Sequence, residues 1–237
     1  MTDPSPNRWR GVPADERQAE RRGLLLDAAF ELLGTVGASG TTVRGVCESA
    51  RLNPRYFYES FEDLDSLLIA VFDREAELSL HVMLDAAARA QEDPDVDALT
   101  LTQAGIGSFV RHVTSDPRRA QVLFVEGLGN EAMGRRRLES MHELAELIGR
   151  GGEPAGTPLD VDPIVQIASS LLVGGMAELL ISWLHGRLPV SLDQLVEDAA
   201  LLFVATGDAA TAIAQQRGRP PHAKPPTKRK PAGARTT

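Results

Sequence analysis

The chain has 237 residues, of which 43% are hydrophobic and 5% aromatic, and its formal net charge at pH 7 is −8. This apolar content suffices for a buried core, and a single cysteine, Cys47, excludes an internal disulfide framework. Frequent Ala and Leu with few aromatic residues favour helices over strands, so the composition predicts an all-α protein.

The charge is distributed unevenly along the chain. Residues 1–60 carry eight arginines and eight acidic residues, whereas residues 61–216 carry ten arginines and twenty-five acidic residues. Residues 217–237 hold seven basic residues and no acidic one. An acidic body between a neutral head and a basic tail predicts that contact with nucleic acid is confined to the ends of the chain.

The N-terminal residues 1–14 contain three prolines, and we interpret them as a disordered leader. A basic aromatic cluster here, Arg8, Trp9 and Arg10, either lies along a phosphate backbone or has no partner. The leader lacks the apolar run of a signal peptide, which predicts a cytoplasmic protein. The first helix is expected from Asp15, with an apolar stripe from Leu24 to Val36 and Gly37 as its C-terminal stop.

Residues 41–61 predict two short helices joined by a tight turn. Thr41 or Thr42 caps the first, which runs to Ala50. Asn53 and Pro54 suit the first positions of the second, which we place at 53–60 as the recognition helix of a helix-turn-helix.

The side chains of this motif suit the major groove of DNA. Arg55 can donate two hydrogen bonds to guanine, and Tyr56 can contact a thymine methyl or a phosphate. Thr42, Arg44 and Tyr58 are placed to bind phosphates on either side. The alternative is an ordinary surface helix.

Residues 15 to about 72 resemble the DNA-binding domain of the tetracycline-repressor (TetR) family. The matching residues are Leu26, Asp27, Ala28, Ala29, Gly37, Thr41, Thr42, Val43, Arg44, Glu48, Ser49, Ala50, Leu52, Tyr58, Phe61, Leu67 and Leu68. The resemblance implies that Thr42, Arg44, Arg55, Tyr56 and Tyr58 contact DNA.

The chain departs from the family pattern at two positions. Arg51 stands where a turn glycine is usual, so a positive φ there would cost about 1 kcal/mol. Leu64 stands where a phosphate-binding lysine is common, between Asp63 and Asp65, which would repel phosphate. The resemblance therefore leaves the phosphate contact at the fourth helix in doubt.

The larger part of the chain, 63–216, is predicted to be a helical ligand-binding and dimerisation domain that follows a DNA-binding domain at 15–62. Apolar periodicity predicts helices over 63–90, 96–114, 117–128, 130–150, 163–186 and 191–206, with a surface loop at 151–163.

The segment 164–184 is interrupted by polar residues, which favours a buried helix over a membrane span. Its apolar residues occupy more than one face, so we expect the helices at 163–186 and 191–206 to form a four-helix bundle with a second copy. The alternative is a helix buried entirely within a monomer.

A small-molecule pocket in this domain is implied by the resemblance. The candidate lining residues, each of which is alternatively plain core, are Phe109, His112, Phe124, Met133, Met141 and Trp183. No cofactor, metal or catalytic residue is predicted. Glu139 and His142 have the spacing of a di-iron ligand pair, but the second pair that such a site needs is missing from the sequence. Cys47 is interpreted as a packed residue.

The basic tail, 217–237, is predicted to be disordered. Its first residues, Arg217 to Pro220, resemble the core of an AT-hook, which places an extended Arg-Gly-Arg in a narrow minor groove. The alternatives are a solubilising tail and one that binds DNA without sequence preference.

Together these features predict a homodimeric, ligand-responsive transcriptional repressor of TetR type that binds a palindromic operator in double-stranded DNA. A helical ligand carrier or enzyme with a DNA-binding head is the alternative. A DNA-packaging protein is disfavoured by the acidic body.

Overall fold

The computed structural model describes residues 14–151, 160–218 and 222–223. Its helices are α1 (Ala14–Gly40), α2 (Val43–Ala50), α3 (Pro54–Tyr58), α4 (Leu64–Ala90), α5 (Ala98–Thr114), α6 (Pro117–Ala120), α7 (Glu131–Gly149), α8 (Pro163–Leu184) and α9 (Leu192–Gln216). A π-helical turn, Gln121–Val125, and a 3-10 turn, Glu126–Leu128, join α6 to α7. Two-residue strands, β1 (Asp160–Val161) and β2 (His222–Ala223), pair antiparallel with Asp160 opposite Ala223. The predicted all-α class is confirmed.

Helices α1 to α3 form the head of the molecule. The regular part of α1 ends at Gly37, whose φ of 75° is open to glycine at little cost. Phe57 of α3 is fully buried, and Phe61 beyond it is also buried. Because α3 has only five residues, this burial against α1 and α2 is what holds the short helix in place.

The turn between α2 and α3 follows the caps that the sequence predicted. Thr42 caps α2 by accepting a hydrogen bond from the Gly45 N–H at 3.0 Å. Asn53 caps α3 by accepting from the Arg55 N–H at 2.9 Å, and Pro54 is its first residue. Arg51 between them has φ 55° and ψ 39°, so the predicted left-handed conformation is present without a glycine.

The direction of each body helix follows from its contacts. Helix α4 begins beside the head, and α7 runs alongside it in the same direction, because Asn130 bonds Asp65 and Arg136 bonds Asp73. Helix α8 returns antiparallel to α7, since Gly149 at the end of α7 lies near the start of α8. The chain therefore folds into a layered bundle with the head at one end.

Two predicted helices have different bounds in the structure. The segment 117–128 is not one regular helix, because α6 ends at Ala120 and passes into the π-helical and 3-10 turns. Helix α9 continues to Gln216, ten residues beyond the predicted end at 206. It passes through Gly207 because Ala210 and Ala214 are buried further along the same helix.

The C-terminal end of α9 lies far from the head. Arg217, which follows α9, lies 3.4 Å from Asp162 at the start of α8, whereas Asp193 near the start of α9 lies 3.9 Å from Arg111. Because α9 spans about 37 Å at 1.5 Å per residue, these ends are well separated.

Arg217 and Gly218 belong to the helix end rather than to an extended segment. The Arg217 N–H bonds the Ile213 and Ala214 carbonyls, and Gly218 has φ 70°. This geometry lacks the extended path that the AT-hook hypothesis requires at these two residues. The rest of the predicted tail, apart from the strand β2, lies outside the described residues, as do Arg8, Trp9 and Arg10.

One helix in the described ranges, α8, is long and apolar enough by composition to cross a membrane, with a mean hydropathy of 1.8 over its most apolar window. It packs between α7 and α9, and its buried residues include Val173, Met176 and Leu180. Ile167 and Leu171 on its opposite face are exposed in the single chain.

Replacing Arg51 with glycine is expected to stabilise the protein by about 0.5–1 kcal/mol, because glycine adopts a positive φ without the steric cost that arginine bears. Urea-induced unfolding would show a higher midpoint for Arg51→Gly. The matched control is Ser49→Gly inside α2, which should lower the midpoint because glycine weakens an ordinary helical position. A lower midpoint for Arg51→Gly would contradict the account of this turn.

Candidate nucleic-acid interface and effector cavity

The polar surface of α2 and α3 holds the residues that the sequence predicted to contact DNA. Arg44 and Arg55 have side chains that are 88% and 83% exposed, and neither has a role in the core. Tyr58 is also exposed, with its ring edge-on to Phe57 at 5.2 Å between centroids. Thr42 is exposed and already caps α2 through its hydroxyl. The structure thus brings these side chains to adjacent elements of one head.

Both arginines are paired with a glutamate one turn further along. The Arg44 Nε donates to Glu48 at 2.7 Å, and this bond raises the pKa of Arg44. The Arg55 Nε donates to Glu59 at 3.0 Å. Ion pairs at such exposed positions are weak because water screens them, so a phosphate or guanine can displace the glutamates at little cost.

Tyr56 is held differently from its neighbours. Its ring is half-buried and lies under the guanidinium of Arg21 from α1, 4.5 Å from the ring centroid. Arg21 also lies 3.6 Å from Glu59, which links α1 to α3. Tyr56 is therefore less available for base contact than Tyr58, and Arg21 is a cation at this surface that the motif-based prediction omitted.

The acidic residues at the start of α4 have structural roles. Asp63 caps the helix by accepting from the Ser66 N–H at 2.8 Å, and the Ser66 hydroxyl bonds back to the Asp63 N–H. Asp65 accepts from Asn130 at 3.2 Å. Leu64 is half-buried against the core.

The body encloses a cavity of about 450 Å³. Apolar side chains from α4, α5, the π-helical turn, α7, α8 and α9 form most of its wall: Phe72, Ala76, Leu80, Met83, Ile106, Phe109, Leu123, Phe124, Met141, Leu144, Leu147, Ile148, Val173, Met176, Ala177 and Phe203. Its exposed lining residues, Glu77, Glu143 and Glu146, come from α4 and α7, so the cavity opens between these two helices. Its size lies within the range of roughly 300–1,000 Å³ that is typical of small-molecule sites.

Three of the six predicted lining residues, Phe109, Phe124 and Met141, do line this cavity. The other three do not. Met133 is fully buried in the core, and the Trp183 indole N–H donates to the Val190 carbonyl at 2.9 Å. Whether any lining residue contacts a ligand stays a prediction.

His112 lies in a buried polar cluster rather than in the cavity wall. Burial and the nearby Arg119 lower the pKa of His112, against the opposing effect of Glu75. Arg119 donates from Nε to Glu75 at 3.0 Å and from Nη1 to the His112 carbonyl at 2.7 Å. This cluster ties α4, α5 and α6 together.

The charged part of the lining was missed from the sequence. Arg136 donates to Asp73 at 2.6 Å and to Glu143 at 3.1 Å, and these bonds raise its pKa. Arg137 beside it also lines the cavity. The sequence signal for these lining residues was the run of three arginines, 135–137, on one amphipathic helix. Three consecutive residues of a helix cannot all face solvent, so some of them had to point toward the body.

The end of α1 is fastened to the body by Glu126, a buried carboxylate in the 3-10 turn. One oxygen accepts from the Ala38 N–H at 2.6 Å, and the other accepts from the Gln121 side chain at 2.6 Å. Phe124, two residues earlier, lines the cavity. One short segment therefore touches both the cavity and the head.

Other contacts reinforce this joint. Arg118 of α6 bonds Glu31 of α1 and Asp116, and its guanidinium lies 5.2 Å from the Phe30 ring centroid. A side chain at Gly34 would lie 2.3 Å from the Arg118 Cβ, so only glycine permits this approach.

Other candidate sites have structural explanations or lack a ligand set. Cys47 is buried in the head, and burial raises the pKa of its thiol, which disfavours the reactive thiolate. Within residues 14–151, 160–218 and 222–223, no three His, Cys, Asp or Glu side chains lie close enough to hold a metal ion.

The head is a helix-turn-helix domain attached to a helical body that contains a cavity. Residues 25–71 match the model of the family described as bacterial regulatory proteins, tetR family. The match spans most of α1, all of α2 and α3, and the first residues of α4.

Solved structures show the same fold over most of the chain. A TetR family transcription regulator from Marinobacter aquaeolei VT8 is 17% identical, with a TM-score of 0.57 over 81% of this chain and 97% of that one. FadR from Bacillus subtilis, in complex with stearoyl-CoA, is 18% identical, with a TM-score of 0.57 over 78% and 98%. The multidrug binding protein EbrR, complexed with imidazole, is 20% identical, with a TM-score of 0.57 over 77% and 94%. The chain has the fold of TetR-family transcriptional regulators.

Proposed function

We propose that this protein is a cytoplasmic transcriptional repressor that binds a palindromic operator as a homodimer and responds to a small molecule. The observation that carries the proposal is the head surface, where a capped turn presents Arg44, Arg55 and Tyr58 without any role for them in the core. Residues 15–62 form its DNA-binding domain, and residues 63–216 form its effector-binding and dimerisation domain.

In this proposal each side chain of the head has one of two roles. Arg55 reads guanine in the major groove, while Thr42, Arg44 and Tyr58 bind backbone phosphates. Tyr56 contributes by supporting Arg21 and contacts DNA from the flank of α3. Glu48 and Glu59 hold the two arginines in the unbound head and are replaced by phosphate or guanine when DNA binds.

Dimerisation is supported by the exposed face of α8 and α9. Leu171 of α8 is 67% exposed and Leu202 of α9 is 60% exposed, and Ile167 and Leu201 lie nearby in sequence on the same helices. A Cβ at Gly175 on this face of α8 would meet nothing within 4 Å, so the position admits close approach by a second copy. Apolar faces of this kind are usually covered by a partner.

An effector response is supported by the continuity between cavity and head. Helix α4 lines the cavity with Phe72 and begins at the head, and the π-helical turn lines it with Phe124 and leads to Glu126. The complexes of FadR with stearoyl-CoA and of EbrR with imidazole show that proteins of this fold hold small molecules. An occupant that favours a different arrangement of these segments would change the separation of the two heads from the roughly 34 Å of one DNA turn.

The direct test of the function is to sequence genomic DNA fragments that the purified protein selects at physiological salt. We expect a palindrome whose half-sites are centred about one or two helical turns apart. Recovery of DNA without a common sequence would contradict the proposal and favour a packaging role.

Arg55→Ala should lower affinity for the selected fragment by about ten- to a hundredfold and relax its preference at one base pair of each half-site, because a bidentate guanine contact is lost.

Arg44→Ala should weaken binding to all sequences similarly and reduce the salt slope by about one, because a phosphate contact is lost. Fluorescence anisotropy over a salt series measures both effects. Arg89→Ala at the far end of α4 is the control, and an unchanged affinity for Arg55→Ala would contradict the assignment.

Leu171→Glu and Leu202→Glu should each convert the protein from dimer to monomer, because a glutamate pair across a two-fold axis places charge in an apolar contact. Sedimentation velocity at micromolar concentration distinguishes the 25.5 kDa chain from its dimer. Leu138→Glu on α7, at a leucine that is 56% exposed, is the matched control and should remain dimeric. A monomeric wild type would contradict the dimer outright.

A further inference from the structure

The charged side chains that line the cavity differ in whether they already have ion-pair partners. The inner wall is apolar, and the ionisable lining residues lie on α4 and α7 and at Arg150 just beyond α7. Arg136 is already satisfied, since it bonds Asp73 and Glu143 and lies 3.8 Å from Glu139. A second charge from a ligand would have to compete with these carboxylates.

Arg137 is in the opposite situation. It is half-buried at the cavity wall, and within residues 14–151, 160–218 and 222–223 it has no ion pair and no side-chain hydrogen bond. A partly desolvated guanidinium without an acceptor is an unfavourable arrangement that an anion would relieve. The carboxylates of Glu77 and Glu146 in the lining are by contrast solvent-exposed, so a cation would gain little from them.

We propose that the cavity binds an amphiphilic anion, with its apolar chain between the helices and its carboxylate on Arg137. This inference rests on the proposed function only in treating the occupant as the effector, since the binding chemistry follows from the cavity itself. The chain length that the apolar walls accept sets affinity, and the carboxylate sets orientation at the mouth between α4 and α7.

The position of Arg137 also connects this anion to the head. Its Cδ lies 3.4 Å from the position that a Cβ on Gly127 would take, and Gly127 directly follows Glu126. A carboxylate bound to Arg137 would therefore lie close to the turn whose Glu126 accepts from the Ala38 N–H.

Isothermal titration calorimetry of the full-length protein with three twelve-carbon probes tests the chemistry. Dodecanoate and dodecyltrimethylammonium, each below its micelle-forming concentration, and dodecanol, below its solubility limit, share the chain and differ in head-group charge. We expect dodecanoate to bind at least about tenfold tighter than dodecanol, since one charge-assisted hydrogen bond is lost in the alcohol. Equal affinities, tighter binding of the ammonium probe, or no binding of any probe would overturn the proposal.

The variant Arg137→Gln locates the anion. It should lower dodecanoate affinity by about tenfold and leave dodecanol affinity unchanged, because only the charged contact is removed. Arg135→Gln is the matched control, since Arg135 is an exposed residue of the same helix that pairs with Glu131. If Arg137→Gln fails to fold by circular dichroism, the comparison of probes on the wild type still decides the ligand class.

The same preparations separate this inference from the proposed function. If dodecanoate does not bind while the protein still selects a palindrome, the ligand class is wrong and the regulator stands. If dodecanoate binds as expected and no sequence is selected, the cavity chemistry is right and the DNA-binding function is wrong.

Discussion

The fixed position of the head depends on the buried carboxylate of Glu126. Its two oxygens accept from the backbone of Ala38 at the end of α1 and from the side chain of Gln121, both at 2.6 Å. A buried acid is costly without such donors, so the contact is maintained only while the 3-10 turn and the end of α1 keep their relative places. Gly37, with its positive φ, lies against the Glu126 carboxylate, and Gly34, with no side chain, allows Arg118 of α6 to approach α1.

The contact of Glu126 with the end of α1 joins the body to the head over a long range in sequence. The head is otherwise built from local interactions. The caps at Thr42, Asn53 and Asp63 and the burial of Phe57 specify the turn and the recognition helix from within about twenty residues. To bind DNA, a rigid head must also have a fixed orientation relative to the body. That orientation depends on Glu126, Arg118 and the start of α4. The arginines on its outer surface are meanwhile oriented by glutamates that an anionic partner can replace.

The difference between local interactions and long-range contacts explains how much of the structure could be predicted from the sequence. The head was predictable because helix caps, a proline at the first helical position and apolar spacing are short-range signals. The left-handed conformation of Arg51 was indicated only by the family resemblance, which places a glycine at this position. The break after Ala120 was not, because a π-helical turn is stabilised by packing of Val122, Leu123 and Phe124 against distant helices. Helix α9 was ended too early because a mid-helix Gly207 resembles a stop when the burial of Ala214 is unknown.

The cavity was predictable only in part for a related reason. Aromatic and methionine residues in a helical body are either core or lining, and periodicity does not distinguish the two; Phe109 and Met141 line the cavity whereas Met133 does not. The pairing of Arg136, and the lack of a partner for Arg137 within the described part of the chain, depend on which carboxylates α4 brings opposite α7. These are long-range properties, and the proposed ligand chemistry rests on them.

The central claim is that the head must be held by the body to bind DNA well, and operator affinity of Glu126→Ala tests it most directly. The substitution touches no residue of the DNA-facing surface, and Glu131→Ala, at an exposed glutamate of α7, serves as its reference. The account predicts that Glu126→Ala binds the selected operator about tenfold or more weakly than Glu131→Ala, because loss of a buried acceptor costs about 1–3 kcal/mol and loosens the joint. Equal operator affinities of the two variants would contradict it.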